Sequence, residues 1–204
     1  MVKKLVVASN NHNKIREIKQ IFSKYPIEIL SMKEVGVNID IEEDGVTFSE
    51  NAYKKAETVY RILEQKAMVL ADDSGLMVKG LNGEPGVHSA RFAGEHGNDK
   101  KNNEKLLKLL KNKDRESRKA KFLCTIVLIE DLNKVIRVQG EVEGLICEEE
   151  RGSNKFGYDP LFYVPEYNMT FGEMPAELKN SISHRAKALE KLKREMKKYI
   201  EREI

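Results

Sequence analysis

Apolar positions follow two rhythms along this chain, and each change of rhythm marks an element. The opening run "KKLVVAS" is short and β-branched, which predicts a strand. It gives way to "NNHN", after which Ile15, Ile18, Ile21 and Phe22 recur at helical spacing. "IEILSM" predicts a second strand, and "IEEDGVTF" a connection turning at Gly45. Thr47 and Glu50 have the T-x-x-E spacing of a capping box, opening a helix that reaches about Lys66. "AMVLA" predicts the next strand, which Asp72, Asp73 and Gly75 are expected to stop.

The second half begins with "GLNGEPGVHSARFAGEHGN", whose five glycines and one proline predict a long ordered or functional loop. Residues 99–112 form a basic amphipathic pattern with Leu106, Leu107, Leu109 and Leu110. "AKFLCTIVLIE" and "KVIRVQGEVEGLI" predict long paired strands that turn near Asp131, Leu132 and Asn133. "RGSNKFGYDPLFYVPEY" is turn-rich and aromatic. From about Ile182 a charged helix sets Ala186, Leu189, Leu192 and Met196 on one face. Strands alternating with helices predict an α/β fold, and the hairpin makes its sheet mixed. No repeat, low-complexity segment or linker divides the 204 residues, so one domain with two lobes is expected.

Charge changes this picture little. Lys and Arg number 36 against 33 Asp and Glu, a formal +3, which gives no electrostatic reason to expect nucleic acid or membrane. The basic stretches at 100–121 and 187–198 leave a nucleic-acid-binding module as a rival, whose mark would be steep salt dependence. The apolar run "LVVA" is shorter than the roughly 7–15 residues of a signal peptide, so a cytoplasmic location is expected. Cys124 and Cys147 lack metal-ligand spacing. In the hairpin Cys124 faces about residue 140, so both thiols are expected to be reduced.

Four constellations could carry chemistry. "ASNNHNK" joins a strand end to a helix start, offering backbone N–H groups and Lys14 to an anion. A plain helix cap by an Asn explains the same residues, and the glycines of a Walker A loop are missing. Glu42, Glu43, Asp72 and Asp73 are acids of the kind that hold Mg²⁺ together with phosphate oxygens. Glu42 and Glu43 also fit a solvated turn, whereas Asp72 and Asp73 sit among apolar residues, where adjacent charges are costly without compensation. "FGYDP" flanks Gly157 with Phe156 and Tyr158, whose faces could stack on a base or simply pack in a core. "KNSISHRA" brings Lys179, His184 and Arg185 to a helix start, where cations call for a compensating partner.

In this order and spacing, "SNNHNK", "EEDGVTFSENAYKKA", "LADDSGL", "PGVHSARFAG", "KFGYDPLF" and "SISHRA" resemble the HAM1-like, or inosine triphosphate pyrophosphatase, family from about Val6 to Leu189. The resemblance implies an elongated mixed sheet flanked by helices, with two lobes and a central cleft, in a homodimer. It implies Mg²⁺-dependent cleavage of ITP, dITP and XTP to the monophosphate and pyrophosphate. Ser9, Asn10, Asn11, His12, Asn13 and Lys14 would cradle the phosphates, with Lys55 beside them. Glu42 and Asp73 would hold the metal, Asp73 would also be the general base, and Ser74 would contact substrate. Phe156, Gly157, Tyr158, Asp159, Lys179, His184 and Arg185 would surround the purine. Whether Asp72 or Asp73 orients the water stays open. Asn10 and Asn13 stand where the family pattern has glycines, and Asn tolerates left-handed backbone. A Maf-like pyrophosphatase acting on other modified nucleotides, and a non-catalytic nucleotide binder, are the alternatives.

Overall fold

The computed structural model describes residues 3–200, with side chains for 4–197. Seven strands form a mixed sheet: β1 (Lys3–Val7), β2 (Ile27–Ser31), β3 (Met68–Val78), β4 (Lys119–Asp131), β5 (Lys134–Ile146), β6 (Phe162–Val164) and β7 (Met169–Thr170). Their order is β2-β1-β3-β4-β5-β6-β7. β1 is parallel to β2 and β3, and β6 is antiparallel to β5 and β7. The helices are α1 (His12–Phe22), α2 (Phe48–Ile62), α3 (Asp99–Leu109), α4 (Ala176–Ile182) and α5 (His184–Ile200). The α/β architecture expected from the alternation of patterns is present. The chain divides into two compact units, one of residues 1–73, 124–140 and 185–204, the other of 74–123 and 141–184.

The first unit has two apolar layers, and β3 feeds both by strict alternation. Met68 and Leu70 join Leu5 and Val7 of β1, Ile18 and Phe22 of α1, and Leu189 and Leu192 of α5. Val69 and Ala71 join Val6 and the Ala52, Ala56, Val59 and Tyr60 face of α2. Successive strand residues point to opposite faces, so a strand covered on both reads as a continuous apolar run. The second unit has its own core of Leu76, Val78, Phe92, Leu106, Leu110, Phe162 and Phe171. Phe122 stacks on His184 there at 4.7 Å between ring centroids.

Two expectations need correction. β3 is not stopped at the acids: it continues through Asp72, Asp73, Ser74 and Gly75 to Val78. Gly75 makes no turn and is not among the glycines of positive φ. Partners on both faces of the strand satisfy the two carboxylates, so the ladder can run through them. α2 ends at Ile62 because Glu64 and Gln65 take positive φ, which leaves the helical basin. The C-terminal helix expected from about Ile182 is α5, starting at His184, and the short α4 that precedes it is set off by Ser183, extended at ψ 159.

Other details match the pattern. The capping box of Thr47 and Glu50 is formed. β4 and β5 are joined at Leu132 and Asn133, and both cysteines are free. Ala186, Leu189 and Leu192 of α5 are buried, and Met196 packs against the same layer. Asn10 and Asn13 do not use the left-handed freedom anticipated for them, since neither has positive φ. Asn13 already lies in the first turn of α1, where ordinary helical backbone suffices.

Candidate active site

The candidate residues of the first unit gather where β3 outruns its neighbour. Val7 pairs with Leu70, and the Ala8 N–H donates to the Leu70 carbonyl at 2.8 Å. Asp72 and Asp73 therefore lie beyond the carboxyl end of β1, the edge at which open α/β sheets receive ligands. The chain leaving β1 enters α1 at the same edge. Asn11 caps that helix, its Oδ1 accepting from the Asn13 and Lys14 N–H groups at 3.0 and 3.1 Å. Ser9 Oγ accepts from the Asn11 N–H at 3.1 Å, and Asn10 Nδ2 donates to the Ile39 carbonyl at 3.0 Å. His12 is exposed, and Asn13 Oδ1 accepts from Arg16.

Adjacent positions on β3 send the two acids to different partners. Asp72, only 1% exposed, receives Lys14 Nζ on Oδ1 at 2.8 Å and Arg185 Nε on Oδ2 at 2.9 Å. The Cys124 thiol donates to the same Oδ2 at 3.4 Å. Arg185 also pairs with Glu17 of α1, so α1, β3, β4 and α5 meet in one buried network. Burial alone would raise the Asp72 carboxyl, but Arg185, Lys14 and Lys55 hold it well below the usual carboxylate range. Burial, with the Asp72 charge, pushes the Cys124 thiol up.

Asp73 faces α2. Its Oδ2 accepts from Asn51 Nδ2 at 3.1 Å, and Lys55 Nζ stands 3.5 Å from Oδ1. The same ammonium lies 2.5 Å from Glu43 Oε1. Burial raises the Asp73 carboxyl in spite of Lys55 and Lys14, whereas in Glu43 the two lysines outweigh burial and lower it. Burial would depress Lys55, but Asp73, Glu43 and Asp72 raise it instead, so it stays cationic. Gly45 lets the segment that carries Glu43 lie close against α2: a Cβ there would lie 2.6 Å from Asn51 Oδ1, which instead accepts the Gly45 N–H at 2.8 Å. Glu42, which the resemblance assigns to the metal, is exposed. Ser74 follows Asp73 on the strand, half-buried.

The second unit holds the aromatic and cationic set. Asp159 Oδ2 accepts from Lys179 Nζ at 2.5 Å and from Asn154 Nδ2 at 3.0 Å, with both members of the ion pair buried. The Lys179 ammonium stands 5.2 Å from the Phe156 ring centroid and 5.8 Å from that of Phe171. Tyr158 is buried, its hydroxyl donating to the Ser89 carbonyl at 2.8 Å and pushed up by burial. Gly157 has φ +56 and is held by Asp99 and Asn103. Lys179, Asp159 and Phe156 thus converge, with His184 stacked on Phe122 in the same unit. Arg185, grouped with them by the resemblance, belongs to the first unit, where Asp72 and Glu17 take its guanidinium.

Lys55 is named by the resemblance, whereas Asn51, Glu17 and the pairing of Glu43 with Lys55 escaped the sequence reading. Asn51 and Lys55 are one helical turn apart on the face of α2 that carries Ala52, Ala56 and Val59, so a polar pair within an apolar stripe was the available signal. Glu17 was marked in the same way, an acid between Ile15 and Ile18 on the buried face of α1. Among the described residues no three His, Cys, Asp or Glu side chains form a metal cluster. Glu43 and Asp73 nonetheless share one cation, the Lys55 ammonium. Two carboxylates that share one ammonium suit Mg²⁺, which takes one or two from protein and the rest from water and phosphate.

The arrangement matches known proteins along nearly its whole length. The sequence pattern of the Ham1 family fits residues 5–195. The chain is 55% identical to a dITP/XTP pyrophosphatase of Clostridium tetani over 201 residues, covering 98% of this chain and 99% of that one. It is 54% identical to the protein of the same name from Clostridium perfringens over 200 residues, 96% and 98% of the two chains. Among solved structures, the Ham1 protein of Staphylococcus aureus superposes with a TM-score of 0.84 at 41% identity, covering 97% of this chain and 100% of that one. A HAM1 protein from Coxiella burnetii gives 0.85 at 40% identity, with 96% and 99% covered. Matches of this extent and identity place the chain plainly: it belongs to the Ham1 family.

Proposed function

We propose that this chain hydrolyses non-standard purine nucleoside triphosphates, ITP, dITP and XTP, to the monophosphate and pyrophosphate. The observation that carries the reading is the pair of lysines, Lys14 and Lys55, set among Asp72, Asp73 and Glu43 beside the start of α1. The relatives in Clostridium, named dITP/XTP pyrophosphatase, support the substrate class. The N-terminus of α1, with Ser9 to Lys14, binds the phosphates through the positive end of the helix dipole and the Lys14 charge. Lys55 gives a second cation against the same oxygens.

Phosphoanhydride hydrolysis rests on positioning and charge compensation more than on covalent chemistry. Asp73 is the residue suited to take a proton from the attacking water: burial has raised its carboxyl, and Asn51 fixes its orientation. Asp72 is committed to Lys14 and Arg185, so it holds those cations in place. Asp73, with Glu42 or Glu43, would hold Mg²⁺, which would supply positive charge to offset the charge of the phosphates. Ser74, next on the strand, contacts the substrate.

The base falls to the second unit, with Phe156 to Asp159, Lys179 and His184. Hypoxanthine and xanthine carry an acceptor at C6 where adenine carries an amino donor. A donor such as Lys179 pairs with the oxygen and sets donor against donor with adenine, and such pairing discriminates by large factors. The same reading has the enzyme act as a cytoplasmic homodimer, which light scattering on the purified protein tests for its assembly. Pyrophosphate release from ITP, XTP, dITP, ATP, GTP and dTTP, each with and without Mg²⁺, tests the whole reading. Release confined to the first three with Mg²⁺ supports it, and binding of ITP without release sinks it.

A further inference from the structure

α3 carries polar residues that its leucine pattern does not explain. Asp99 and Asn103 lie four residues apart and so share a helix face. That face grips one residue of the loop Phe156–Asp159 by both ends of its backbone. Asp99 Oδ2 accepts the Gly157 N–H at 2.8 Å, and Asn103 Nδ2 donates to the Gly157 carbonyl at 3.2 Å. Asn103 Nδ2 also donates to Glu150 at 3.0 Å, so its amide is fixed from two sides. Asn102, between them, accepts the Ala93 N–H at 2.7 Å and donates to the Ala90 carbonyl at 3.3 Å, holding the preceding loop to the same helix. Tyr158 closes the circuit by donating to Ser89.

A residue in a strand or helix obtains its backbone partners from the ladder. Gly157 obtains both from side chains, and its φ of +56 is one that other residues rarely adopt. No atom lies within 4 Å of where its Cβ would be, so the glycine serves the backbone angle and not a tight contact. The acceptor on its N–H is a carboxylate, which makes that hydrogen bond a strong one. The orientations of Phe156 and Tyr158, one on each side of Gly157, follow from that peptide.

We propose that Asp99 and Asn103 are positioning residues for base recognition, setting the Phe156–Asp159 loop by clamping the Gly157 backbone from α3. The inference rests on the reading that this loop meets the purine. The test compares Asp99→Ala, Asn103→Ala and the conservative Asp99→Asn with Phe156→Ala and the unaltered enzyme, measuring KM and kcat for ITP and ATP. Amide hydrogen exchange at Gly157 is followed in parallel. D99A is expected to raise KM for ITP about tenfold, the scale of a lost charged hydrogen bond, and N103A about threefold to tenfold, the scale of a neutral one, with kcat within about twofold in both. D99N keeps an acceptor and is expected to stay near the unaltered enzyme. Gly157 exchange is expected to speed up in D99A. If F156A raises KM while D99A and N103A do not, the clamp is refuted and the reading of the loop survives. If F156A also leaves KM unchanged, the loop does not meet the base, and both fall. If D99A does not fold, N103A alone decides between these outcomes.

Discussion

Asp72 and Asp73 are neighbours on β3, yet Asp72 is bonded to Arg185 and Lys14, and Asp73 to Asn51 and Lys55. The pleat sends them to opposite faces, which separates a bracing acid from an acid suited to proton transfer. Asp73→Asn should therefore lower kcat by about 10²–10⁴, the range for a lost general base, while the melting temperature stays near that of the unaltered protein. Asp72→Asn should do the reverse in emphasis: it leaves Arg185 and Lys14 short of a buried counter-charge, at a cost of about 3–5 kcal/mol. Denaturant melts and pyrophosphate release on both variants check the division. Equal stability losses would remove it.

Lys55 is held between two acids, Glu43 and Asp73, and is 7% exposed. Lys55→Met removes the shared cation and leaves the buried Asp73 and the half-buried Glu43 carboxylates without it. Like charges at short range raise carboxyl pKa values, so the variant should bind ITP less tightly and tolerate alkaline pH less well. The check is the KM for ITP measured from pH 6 to pH 9 in both proteins (a range about three units wide, centred on the operating pH). Parallel profiles would show that Lys55 does not set the charge of this site.

Much of this was legible in the sequence, because much of it is local. The capping box at Thr47 and the Asn11 cap are fixed by spacing of a few residues. The burial of Ile15, Ile18 and Phe22 follows from helical period. What failed was decided at a distance. The continuation of β3 through Asp72 depends on Arg185, 113 residues away, and on Lys14, so local polarity pointed to a strand end that tertiary partners abolish. Glu43 and Glu42 are likewise adjacent acids in an irregular segment, and only the place of Lys55 on α2 tells which one it engages. The clamp on Gly157 joins residues 58 positions apart and has no signature in either segment alone.

The acid limb of stability should carry the mark of Asp72. Its carboxyl gives up its proton more readily folded than unfolded, so it stabilises the native state above the ordinary Asp pKa of about 3.9. That contribution is lost as pH falls below this value towards the lowered folded pKa. Urea melts between pH 2 and pH 7 should show stability declining on the acid side, about this range. In Asp72→Asn the decline should be shallower. An unchanged slope would mean that other carboxylates dominate the limb.

Lys179 and Asp159 offer the corresponding experiment in the second unit, and it separates pairing from charge. The two groups are 2.5 Å apart and each is 4% exposed at the side chain, so removing one strands the other in the interior. Asn154 still donates to Asp159, which softens the loss in Lys179→Met but does not neutralise the carboxylate. Each single change, Lys179→Met or Asp159→Asn, should cost about 3–5 kcal/mol. The double change leaves no unpaired charge and should recover a large part of that loss, because a buried ion pair adds little over neutral groups that pack as well. Denaturant melts of the four proteins form a double-mutant cycle, and a coupling below about 0.5 kcal/mol would show that the pair is not held as described. If Lys179 also reads the base, the double variant will regain stability but not its preference for ITP over ATP. Recovery of both would assign Lys179 to structure alone.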